Sequence, residues 1–124
     1  MPTSRSNYES LALSVTSKHS FNKCRECATE LRNVLAAAGK KGTVLQLVAR
    51  GRPRGFIVMK DTNYVLPFQA PVGAAIASSG QHFGVEVGGM VFCNIFRKGV
   101  PRSTWQNAFD CDAHSFEVIE IDPF

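Results

Sequence analysis

The chain has 124 residues, 44% of them hydrophobic and 19% charged, with 14 Lys and Arg against 10 Asp and Glu for a net charge of +4. That composition excludes a disordered or low-complexity chain, and the length suits one domain, over residues 1–124, with a core of its own. The mild basicity permits an acidic or nucleic-acid partner without demanding one.

Residues 1–6 read as a loose tail. Asn7 is placed to cap a short helix whose inner face carries Tyr8, Leu11, Ala12 and Val15. After a connection over Ser17–Phe21, Asn22 is an N-cap candidate, because its side-chain oxygen can accept from the free N–H groups of a first helical turn. Beyond it Cys24, Ala28, Leu31 and Leu35 fall on one helical stripe, flanked by Cys27, Val34 and Ala38, and Gly39 is the stop. Thr43–Ala49 and Phe56–Met59 read as strands, and Asp61-Thr62-Asn63 as a turn before Tyr64–Leu66. Pro67–Gly80, with two prolines and Ser78-Ser79-Gly80, reads as a long loop. His82–Val87 and Met90–Phe96, two alternating runs joined by Gly88-Gly89, form the clearest hairpin. A turn over Arg97–Pro101, a short helix over Ser103–Phe109 and a strand over Phe116–Ile121 complete the chain. Leading helices followed by a mostly antiparallel sheet make the class α+β.

No apolar run approaches the ~20 residues of a membrane span, so no membrane partner is expected. The first twenty residues lack the apolar core of a signal peptide, which places any export address on a larger precursor. Cysteines 24, 27, 93 and 111 are too scattered for a disulfide framework.

Chemistry concentrates on three residues. Cys24 stands in a first helical turn, where free N–H groups and the helix dipole favour a thiolate. His82 stands at a strand start and is the candidate base. A third group must hold the imidazole in one orientation. If Gly88-Gly89 is a strict two-residue loop, His82 pairs with Ile95 and shares its face with Cys93; a three-residue loop moves Asn94 onto that face. An amide orients an imidazole better than a thiol does, so Asn94 is preferred and Cys93 is the alternative.

The pieces Phe21–Ala28, Ser79–Val87, Val91–Ile95, Gly99 and Trp105 together resemble the papain-like-fold toxin domains of bacterial polymorphic toxin systems, over roughly Phe21–Phe109. The resemblance implies a papain-like fold with Cys24 as nucleophile, His82 as base and Asn94 as third group. Cys27 is the alternative nucleophile, because Cys27-Ala28 also matches the pattern. It further implies a Cys-His-Asn amide hydrolase, a protease or a glutamine deamidase, working through a thioester with no cofactor and no metal. The Asn22 side chain and the Cys24 N–H would hold the oxyanion. Such domains are carried by larger secreted or injected effectors, act on a protein in the target-cell cytoplasm, and are neutralised by a cognate immunity protein. One departure stands out: the family commonly has Asp-Asn where this chain has Cys93-Asn94.

Three other readings compete. Cys24-x-x-Cys27 is compatible with a redox pair or half of a zinc site, but no second close pair follows and no βαβ context surrounds it. A basic ribonuclease would use His82 or His19 with the Arg50–Arg54 turn on phosphate, and here RNA would be the partner. A catalytically inactive binding module is the third, given the missing Asp.

Overall fold

The computed structural model describes residues 4–19, 23–50, 56–59, 75–77, 79–111 and 114–124. Two helices lead: α1 over Ser4–Thr16 and α2 over Cys24–Ala37. α1 starts before Asn7, so the expected cap lies inside the helix and Ser4–Ser6 are helical where a loose tail was expected. Packing holds this helix where a cap was expected. Tyr8, Ala12 and Val15 are buried, and the Tyr8 ring meets Phe92 edge-on at 6.0 Å between centroids.

In α2 the expected stripe is the buried one: Cys24, Ala28, Leu31 and Leu35, joined by Cys27. Each fully buried leucine contributes roughly 1.5–3 kcal/mol. Lys23 occupies the cap position without a side-chain hydrogen bond, and Asn22 lies outside the described residues. At the other end Gly39 takes φ 78°, and the Lys40 N–H reaches back to the Leu35 carbonyl at 3.0 Å, which closes the helix as its glycine predicts.

The strands are β1 (Thr43–Ala49), β2 (Ile57–Met59), β3 (Ala75–Ala77), β4 (Gln81–Val87), β5 (Met90–Phe92) and β6 (Val100–Pro101). After α3 (Arg102–Asn107) come β7 (Phe109–Asp110) and β8 (Phe116–Pro123). They form a five-stranded sheet in the order β6-β5-β4-β1-β8 and a three-stranded sheet in the order β3-β2-β7, antiparallel throughout. The architecture is α+β, as its elements predict.

Residue alternation divides the large sheet into two faces. Val44, Phe83, Val85 and Phe92 meet α1 and α2, while Leu45, Leu47 and Val91 face β2, β3, α3 and β7 through Ile57, Ile76, Trp105 and Phe109. The core therefore has two halves with β4 and β1 as the wall between them.

Three expectations change. β3 lies inside the stretch read as a long loop, because Ile76 is buried and the segment pairs with β2. β5 ends at Phe92 instead of Phe96, because the chain turns: the Cys93 N–H donates to the Phe96 carbonyl and the Phe96 N–H to the Cys93 Sγ, both at 3.3 Å. The turn expected over Arg97–Pro101 ends in β6, which pairs with β5. The expected turn at Asp61–Asn63 and strand at Tyr64–Leu66 lie outside the described residues.

The hairpin loop is the strict two-residue form. Val87 pairs with Met90, and Gly88 and Gly89 take φ 59° and 81°, the positive pair a type I′ turn demands. The three-residue register that would move Asn94 onto the His82 face is not formed.

Gly84 admits the Trp105 indole. A Cβ built there would stand 2.8 Å from Val91 Cγ1 and 3.1 Å from Trp105 Cζ2. Gly84→Ala is expected to lose about 1–3 kcal/mol through overpacking. Urea unfolding followed by the fluorescence of Trp105, the single tryptophan, measures it, and an unchanged midpoint would mean the indole does not sit against this strand.

Candidate active site

The end of the large sheet where β4 begins and β5 ends gathers the predicted chemistry. β4 opens with Gln81 and His82, β5 runs out into the Cys93–Phe96 turn, and α2 presents its first turn with Cys24 and Cys27. Two backbone contacts place the Cys24 thiol. Its Sγ lies 4.0 Å from the Gln81 carbonyl, and the Phe83 N–H faces the sulfur.

The helix start does not win electrostatically. Burial pushes the Cys24 thiol above its ordinary pKa; the N–H groups of Phe83, Arg25 and Cys24 itself pull it down, and Glu26 adds a smaller push upward. The dipole-favoured thiolate expected of a first turn is therefore outweighed by desolvation in this arrangement. Cys27 is fully buried and pushed up to about 12, first by burial and then by Cys93, Cys24 and Glu30, with Arg97 opposing. Cys93 is pushed to about 11 by burial, against the N–H groups of Phe96 and Ile95 and the Trp105 indole. Cys111 is also a free thiol, and its Sγ donates to the Ser115 carbonyl at 3.2 Å.

His82 pairs with Leu47 across the sheet, so its ring enters the half of the core holding Trp105 and Phe109. It lies 5.8 Å from the Trp105 ring at 29° and 4.9 Å from the Phe109 ring at 60°. Burial alone drives its pKa down to about 3, and neither ring nitrogen has a hydrogen-bond partner among the described residues. Cys24 packs in the other half, with Phe83 and Val85. Thiol and imidazole thus share one end of the sheet but lie on opposite sides of the β4 backbone, and no hydrogen bond joins them.

Cys93 lies in the half of the core where His82 stands, as the two-residue register requires. Asn94 is fully buried in the turn, with its backbone carbonyl accepting from Arg97 Nε at 3.2 Å. Arg97 was not singled out from sequence, where nothing marks it. Its Nη2 also donates to the His19 carbonyl at 3.2 Å, and its own carbonyl accepts from Thr16 Oγ1 at 3.0 Å. This clasp ties the Asn94 turn to the end of α1. His19 pairs with Glu30 at 2.9 Å, and the exposed His114 pairs with Asp110, also at 2.9 Å.

Among the described residues no group of three or more His, Cys, Asp or Glu side chains is arranged to hold a metal ion, and no helix is long and apolar enough to cross a membrane. The arginine-rich turn invoked for phosphate lies, past Arg50, outside the described residues.

One end of the sheet thus carries a buried thiol opening a helix, an imidazole opening the neighbouring strand and an amide in the turn beyond. A family model described as papain fold toxin 2 matches residues 8–110. The chain belongs to this family of papain-fold toxins. No curated protein and no solved structure matches it.

The unpartnered His82 makes stability depend on pH. Its pKa is about 3 in the folded chain against ~6.5 unfolded, so between those values the unfolded chain binds the extra proton. The stability contribution is complete above ~6.5 and falls away as pH drops toward 3, by about 1.4 kcal/mol per unit. Urea unfolding at pH 5 is expected to show a loss of about 2 kcal/mol relative to pH 7 that His82→Phe abolishes. A loss of equal size in the variant would mean that His82 is solvated in the folded chain.

Proposed function

We propose that this domain is a cysteine amide hydrolase that acts as an effector toxin, with Cys24 as nucleophile, His82 as base and Asn94 as the group that orients it. The observation that carries the reading is the match to papain fold toxins, within which Cys24, His82 and Asn94 fall near one end of the large sheet although thiol and imidazole face opposite sides of β4.

The thiol gives its proton to His82 as the sulfur bonds to the carbonyl carbon of a carboxamide or peptide. The resulting oxyanion is held by the Cys24 N–H and the Asn22 amide. Collapse breaks the C–N bond, and the imidazolium protonates the departing ammonia or amine. Water, relieved of a proton by His82, then splits the thioester and returns the thiol with a free carboxylic acid. A glutamine side chain as substrate makes the enzyme a deamidase; a main-chain amide makes it a protease.

Both reacting groups are neutral at pH 7 in the folded arrangement, with the thiol pKa raised and the imidazole pKa lowered by burial. Proton transfer requires the start of β4 to rearrange so that the imidazole leaves the Trp105–Phe109 pocket and reaches Sγ on the other side of the sheet. Delivery as part of a larger secreted or injected effector, action on a protein of the target-cell cytoplasm, and neutralisation by an immunity protein complete the reading.

Inducible expression in bacteria tests it. Wild type is expected to arrest growth, while Cys24→Ala and His82→Ala restore colony counts by at least ~10³-fold, the scale on which loss of a nucleophile or base acts. Cys27→Ala is expected to stay within tenfold of wild type. Near-ultraviolet circular dichroism of Trp105 checks that each variant is folded. Killing by a folded Cys24→Ala chain would end the thiol mechanism and leave the ribonuclease or binding readings.

A further inference from the structure

A groove of about 270 Å³ lies between α2 and the β1–β8 side of the sheet, and Arg25, the residue after Cys24, lines it. Phe83 links the two places. Its backbone N–H faces the Cys24 sulfur, while Phe83 also lines the groove together with Val44 and Ile121, the last 44% exposed.

Two arginines of α2, one at each end, line this groove, and they are built alike. The Arg25 guanidinium stands 5.3 Å above the centre of the Phe83 ring, and the Arg32 guanidinium 5.4 Å above that of Phe124. Stacking on an aromatic face leaves the N–H edge of a guanidinium free for a carboxylate. At Arg32 that carboxylate is Asp122, whose Oδ2 accepts from Nε at 2.9 Å. At Arg25, the arginine next to the thiol, no ion pair is formed among the described residues.

We infer that the groove is the substrate subsite and that Arg25 receives a carboxylate of the substrate as Arg32 receives Asp122. The occupant is an extended acidic peptide, with an Asp or Glu within two residues of the amide that Cys24 attacks. One side chain of that peptide rests against Phe83 and Val44. The reach follows from chain geometry, since about 3.5 Å per residue carries a peptide from the thiol to the adjacent helical position in one or two steps. The net charge of +4 favours the approach of such a segment. This inference rests on Cys24 being the nucleophile.

Two alkylating agents that differ by one charge test it without knowledge of the substrate. The full chain is treated at pH 7.5 with iodoacetate or iodoacetamide, and modification at each of the four cysteines is followed by peptide mass spectrometry. The rate ratio of iodoacetate to iodoacetamide is taken relative to glutathione. A change in thiolate fraction alters both rates alike, so the ratio reports recognition of the carboxylate alone.

Cys24 is expected to react before the other three thiols with an elevated ratio, which Arg25→Gln lowers about tenfold, the scale of one charge-assisted hydrogen bond. Lys41→Gln, which removes an exposed cation past the far end of α2, is expected to leave the ratio unchanged. If Cys24 still reacts first but Arg25→Gln does not alter the ratio, the subsite is overturned and the nucleophile stands. If Cys24 reacts no faster than Cys27, Cys93 and Cys111, the nucleophile falls and the subsite falls with it.

Discussion

The strict alternation of side chains along β4 is the constraint on which the site depends. Three consecutive residues at the start of that strand serve three different places. The Gln81 carbonyl faces the Cys24 sulfur, His82 enters the half of the core behind the sheet, and Phe83 returns to the helical side. A strand can present adjacent residues only to opposite faces. The backbone that positions the Cys24 thiol therefore also turns the His82 imidazole away from it. The large sheet is covered on both sides, by α1 and α2 on one and by the small sheet with α3 on the other, and each covering layer takes one member of the pair.

Desolvation is the second organising influence, and at this end of the molecule it exceeds the helix dipole. Three thiols and an imidazole lie buried within a few residues of one another along three elements, and each is held in its neutral form. Mutual repulsion among Cys24, Cys27 and Cys93 reinforces this, because a charge on one raises the cost of a charge on the next. The Arg97 clasp supplies the mechanical counterpart. By holding the His19 and Asn94 carbonyls together it makes the end of α1 and the turn after β5 one unit.

Strong local patterns were legible in the sequence. The α2 stripe, the Gly39 stop, β1 to the residue, and the Gly88-Gly89 hairpin all follow from periodicity or from backbone conformations that only glycine readily supplies. Elements defined by tertiary pairing were not legible. β3 is three residues long and exists because β2 lies beside it. The end of β5 at Phe92 is set by a backbone turn that closes on the Cys93 sulfur, which no alternation pattern records. Within the site, residue types and order pointed to the thiol, the imidazole and the amide. Whether Cys93 or Asn94 would share the His82 face turned on a one-residue choice of hairpin register, and that choice is invisible until the strands pair. Arg97 and the stacked Arg25 carry no sequence signal beyond being arginines near the right place.

The pairing of β1 with β8 has a kinetic meaning. Thr43 meets Pro123 and Ala49 meets Phe116, so the inner strand gains its second neighbour only from residues near the end of this sequence. Closing such a long span costs entropy before any contact repays it, and pairings of this kind are slow to form. Until then β1 is an open edge, Arg32 lacks Asp122, and the groove lacks Ile121 and Asp122 from its lining. During synthesis α2 is made early, but the groove beside it is complete only once β8 has followed.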